Sequence, residues 1–151
     1  MTSALTIYLV IHVLAGLAGT AGFYGAWFNL LRGAKNFRAL RAESMTGLIM
    51  ILVSWVTGAV YYVTYYGATV KPLIKAGPYP WAHAFLMEWK EHVFLFLPFL
   101  AAVVTIAIWR VSPGDQLPDG TRRWLGWLCG LIVFLGAAMA LAGTGISGAV
   151  R

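Results

Sequence analysis

The sequence predicts an all-α protein, an integral-membrane up-down bundle of four helices forming one domain over residues 1–151. Three observations predict it. Hydrophobic residues make up 60% of the chain and charged residues only 11%, where soluble domains carry about 25% charged residues. Four apolar stretches each reach the roughly 20 residues that a helix needs to cross a bilayer. The basic residues gather between these stretches rather than within them. Seven of the eleven Lys and Arg residues lie in two connections. The net charge of +6 therefore reads as membrane orientation and anionic-lipid contact, and no run offers the basic face that nucleic acid requires.

The first span is expected over residues 4–31. Met1-Thr2-Ser3 has no basic lead-in and no cleavage site follows, so the span is read as retained rather than as a signal peptide. A basic connection follows, from Arg32 through Lys35, Arg38 and Arg41 to Glu43. The second span is expected over 46–66 and ends in an interfacial cluster, Tyr61, Tyr62, Tyr65 and Tyr66. The connection from Gly67 to His83 holds the stiff run Gly77-Pro78-Tyr79-Pro80-Trp81, which reads as an ordered cap at headgroup level. The third span is expected over 84–109. Pro113-Gly114-Asp115 and Pro118-Asp119-Gly120 then signal turns. The fourth span is expected over 124–148. By the positive-inside rule the two basic connections face the cytoplasm of a bacterial inner membrane, and both termini face out. The lone Cys129 can form no internal disulfide, and no Cys-x-x-Cys-His is present for covalent haem attachment.

Two histidines carry the functional reading. His12 and His92 each lie about two helical turns inside a span, and ionisable groups there are costly enough to mark a functional site. The first and third spans run in the same direction, so both imidazoles lie about 12 Å below the outer surface at a 1.5 Å rise per residue. In an up-down bundle these spans are diagonal, which would let the two rings share a haem iron. Gly16 and Gly19, on the face of His12, and Gly58 on the second span would leave room for a porphyrin. The plainer reading is that such small residues simply let helices approach. Within Met87-Glu88-Trp89-Lys90-Glu91-His92, Lys90 could pair with a propionate and Glu88 could orient an imidazole. His83 lies half a turn out of phase with His92 and reads as an interfacial residue, or as a contact to a propionate or quinone.

Leu9-Val-Ile-His12-Val-Leu-Ala-Gly16 resembles the small four-helix haem proteins of the HemJ-type protoporphyrinogen oxidases, and also the CopD-type copper-resistance membrane domains. The resemblance implies haem ligation by His12 and places a functional third-helix lysine near Lys90. Ser54-Trp55-Val56-Thr57-Gly58 departs from that pattern. The expected function is that of a b-type cytochrome subunit carrying haem b. It would pass electrons between the quinone pool and a membrane or periplasmic redox partner. The alternatives are a cofactor-free structural subunit of a larger membrane complex and a HemJ-like porphyrinogen oxidase.

Overall fold

The computed structural model describes residues 3–112 and 117–150. Among these residues the chain forms four long helices and no strand: α1 (Ser3–Leu31), α2 (Phe37–Ala76), α3 (Ala82–Arg110) and α4 (Asp119–Gly148). Each is long and apolar enough to cross a membrane. The Pro113-Gly114-Asp115 turn lies outside the described residues, save for its neighbours Ser112 and Leu117.

α2 is far longer than the sequence predicts, because both flanking connections are mostly helical. At its start, Asn36 caps the helix, its side-chain oxygen accepting from the Ala39 N–H at 3.0 Å. The preceding turn closes α1 with a glycine in the left-handed region, Gly33 at φ +91°. There the Ala34 N–H donates to the Asn29 carbonyl and the Gly33 N–H to the Leu30 carbonyl, the pattern that satisfies the last carbonyls of a helix. The connection therefore shrinks to residues 32–36. At the other end, α2 continues through a π-helical stretch, Tyr62–Val70, into the last turns, Lys71–Ala76. Pro72 has no N–H and its ring crowds the carbonyl one turn back, so wider turns before it relieve that conflict. A second π-helical stretch, Ala82–Met87, opens α3 directly after the proline-rich bend. Pro118 ends an extended approach to α4, so Pro118-Asp119-Gly120 starts a helix rather than making a separate turn.

α1 packs on α2 and α4, and α3 packs on the same two helices, so α1 and α3 are diagonal. The α1–α2 contact is backbone against backbone. A Cβ added at Gly22 would lie 2.8 Å from the Gly47 Cα, and one at Gly19 would lie 2.9 Å from the Ile51 nitrogen. Two arginines tie helix ends together at the basic end. Arg122 donates to the Leu30 carbonyl at 3.1 Å, and Arg41 donates to the Trp109 and Val111 carbonyls. Each cation thus meets carbonyls at or just beyond the C-terminal end of a neighbouring helix, where a positive charge is favoured.

The apolar interior comes in two parts. A large core built on Phe23, Leu30, Leu40, Val104, Ile108 and Ile132 fills the half towards the basic end. A small one built on Tyr66, Ile74, Ala82 and Ile146 fills the opposite end. Large apolar side chains point outward: Trp127 is 75% exposed, Leu141 72% and Phe99 68%. Exposed apolar area of this extent marks an interaction surface, for lipid or for protein.

Candidate functional site

The polar residues of interest lie between the two cores. Along α2 they fall after Ile51 and before Tyr62, along α3 after Met87 and before Leu97, and along α4 near Gly143.

His12 is held by α2. Its Nδ1 lies 2.8 Å from the Ser54 carbonyl oxygen and 3.0 Å from Ser54 Oγ. Ser54 Oγ in turn donates to the His12 carbonyl at 2.8 Å. A hydroxyl that has given its only proton away can only accept from the ring, so Nδ1 carries the hydrogen. Nε2 is then left with a lone pair, and it has no hydrogen-bond partner among the described residues. Gly58 admits the ring: a Cβ there would come within 2.5 Å of Nδ1. His12 and Gly16 on α1 thus mesh with Ser54 and Gly58 on α2, each pair one helical turn apart.

Lys90 stands on α3. It is partly buried and faces α4, where a Cβ on Gly143 would lie 3.3 Å from Nζ. Among the described residues the one ion pair is Arg122–Asp119, so no carboxylate neutralises Lys90 at contact distance. Glu91 faces the Tyr62 hydroxyl, but its Oε1 is buried without a partner. Trp55 stacks on Phe94 at 5.9 Å, and its Nε1 is likewise buried and unpaired. Unpaired buried polar atoms are rare and each costs about 1–3 kcal/mol. Two such atoms face this stretch, one on α2 and one on α3.

His92 stands elsewhere. It lies on the exposed stripe of α3 with Glu88, Leu95, Phe96 and Phe99, and its Nδ1 bonds the Glu88 carbonyl at 2.7 Å. The inward face of α3 runs instead through Lys90, Glu91, Phe94, Leu97, Ala101 and Val104. The structure therefore does not turn His12 and His92 towards each other, although their helices are diagonal. Glu88 is exposed and stands with His92, not with His12. The spaces beside Gly16 and Gly19 are taken by Ser54 and by Ile51 with the Gly47 backbone, and Gly58 makes room for an imidazole. At these three positions smallness serves helix contact and ring seating rather than an open porphyrin slot.

His83 is buried within the protein at 1% exposure, and its Nδ1 lies 3.1 Å from the Tyr66 hydroxyl. That bond joins the two π-helical stretches. Tyr79 and Trp81, by contrast, are exposed on the cap between α2 and α3. Ser54, Trp55, Tyr62 and Tyr66 were not singled out as site residues from the sequence. The matching i, i+4 pairs His12/Gly16 and Ser54/Gly58 were the available signal for the first of them.

Comparisons with protein-family models, with curated proteins and with solved structures gave no match.

Proposed function

We propose that the four helices cross a bilayer as an up-down bundle and that the chain works as a b-type cytochrome subunit, passing electrons between the quinol pool and a redox partner. The membrane part rests on helix length, apolarity and outward-facing large side chains. With the basic connections in the cytoplasm and both termini outside, the polar stretch stands towards the outer leaflet.

The observation that carries the haem reading is the 2.8 Å contact of His12 Nδ1 with the Ser54 carbonyl oxygen. Imidazoles that bind metals typically donate their other ring N–H to a carbonyl or carboxylate, which orients the ring and raises its basicity. Ser54 does this for His12. His12 would hold the iron, and Lys90 would set its charge against a propionate. Haem, when bound, contributes one-electron transfer at a potential set by its ligands and burial. Ser54 and Gly58 fix the ring's angle, while the Trp55–Phe94 stack keeps water from the α2–α3 side. His92 could add a second bond only to a group held across the outward face of α3, so the account assigns it no part in the same iron site.

A second reading concerns His12 together with Lys90. These are the two positions onto which the HemJ-type resemblance maps its ligand and its functional lysine. Porphyrinogen oxidation would then be the activity, and complementation of a haem-synthesis mutant tests it. Pyridine-haemochrome analysis of the purified chain tests the shared premise. About one haem b per chain supports the proposal, and none leaves a cofactor-free subunit of a larger complex.

A further inference from the structure

A cavity of about 410 Å³ opens at the basic end, lined by Phe37, Arg38, Arg41, Ala42 and Trp109. Its chemistry is divided. The upper part is cationic: Arg38 and Arg41 stand one turn apart on the same face of α2. Arg41 is fixed in place, its guanidinium over the Trp109 ring at 5.3 Å from the centroid, with Nη2 donating to the last carbonyls of α3. Its Nε is buried without a partner. Arg38 is exposed and has no carboxylate at ion-pair distance among the described residues. Of the nearby acids, Glu43 is turned towards Asn29, 3.4 Å away, and Asp119 is paired with Arg122.

The lower part is apolar. Trp109 is 46% exposed, and below it along α3 come Ile106 and Val103, exposed in turn. On α2 the stripe continues through Ile49, Leu52 and Val56, also exposed. A guest suited to both parts carries an anionic head against the arginines and hydrocarbon along the two helices. Guanidinium forks match phosphate oxygens, and basic recesses between spans at the cytoplasmic surface suit anionic headgroups. We propose that this recess is a binding site for the phosphodiester of an anionic phospholipid. The site rests on the membrane reading above and is independent of haem.

The test uses the full chain purified in mild detergent and titrated with short-chain phosphatidylglycerol, with phosphatidylcholine of the same chain length, and with inorganic phosphate. Native mass spectrometry reads bound lipid. Phosphatidylglycerol is expected to bind more tightly than phosphatidylcholine, and Arg38→Gln to weaken it about fivefold, the worth of one basic residue at an anionic surface. Arg122→Gln, outside the recess, is expected to leave it unchanged. Arg41→Lys keeps the charge but loses the fork and is expected to weaken binding while the chain stays folded by circular dichroism. Equal binding of the two lipids, or an unchanged affinity in Arg38→Gln, overturns the proposal. Displacement of lipid by millimolar inorganic phosphate overturns the lipid assignment in favour of a simple anion site. Failure of the chain to partition into the detergent phase would instead overturn the membrane reading.

Discussion

The contact between α1 and α2 and the contact between α2 and α3 solve opposite problems. Along α1 and α2, glycines bring the backbones together, and Ile51, Phe23 and Ser54 fill what space remains. Along the start of α3, Glu91 keeps one buried oxygen unpaired and Trp55 on α2 keeps a buried N–H unpaired, while Lys90, turned towards α4, meets no carboxylate at ion-pair distance among the described residues. The first contact is what close packing in lipid produces. The second is worse than an apolar substitute would be, and such a cost persists where function needs it. His12 belongs to the first: its Nδ1 is held in the closed seam by Ser54, and its Nε2 has no hydrogen-bond partner among the described residues.

Breaking the seam should have the largest effect. Gly22→Leu would drive a side chain into the Gly47 backbone, which cannot yield as a flexible side chain can. Overpacking of this kind costs about 1–3 kcal/mol or more, read as a large fall in melting temperature in detergent. A melting temperature equal to that of the unaltered protein would show that the helices do not touch there. Next comes the buried Tyr66–His83 bond: Tyr66→Phe leaves His83 unpaired and should cost about 1–3 kcal/mol by thermal unfolding.

The polar stretch should respond in the other direction. Glu91→Gln removes a buried charge with an unpaired oxygen, so its melting temperature should hold or rise while the redox midpoint or haem content changes. A fall in stability with no change in either would make Glu91 a structural residue. Ser54→Ala should have the smallest effect. The Ser54 carbonyl still takes the Nδ1–H, and only the hydroxyl bonds are lost, about 1 kcal/mol. A modest shift in the haem spectrum without loss of haem is the expected result.

The four helices were legible because length and apolarity alone mark a span, and α1 and α3 matched within two residues at each end, while α4 begins five residues earlier than expected. The length of α2 was not legible. Its first turns carry Arg38 and Arg41, which read as a loop until Asn36 is seen to cap a helix and Arg41 to close the end of α3. The facing of α3 was missed for a related reason. In lipid both faces of a helix are apolar, so hydropathy carries no phase. Residue size does so only in part: the buried face holds Pro98, Ala101 and Thr105 but also Leu97, Val104 and Ile108, and the exposed face holds Phe96, Phe99, Val103 and Ile106. Extended one turn back, that pattern turns Lys90 and Glu91 inward and His92 outward. His12 was found because it is the sole ionisable group deep in α1. Its partner Ser54 gave no such signal, since a serine in a membrane helix more often bonds its own backbone.

The most direct measurement compares reduced-minus-oxidised spectra of purified His12→Ala and His92→Ala at equal protein concentration. His12→Ala is expected to lose the haem b bands and His92→Ala to keep them. Retention of the bands in His12→Ala, or their loss in both variants, would contradict a site built on His12 alone.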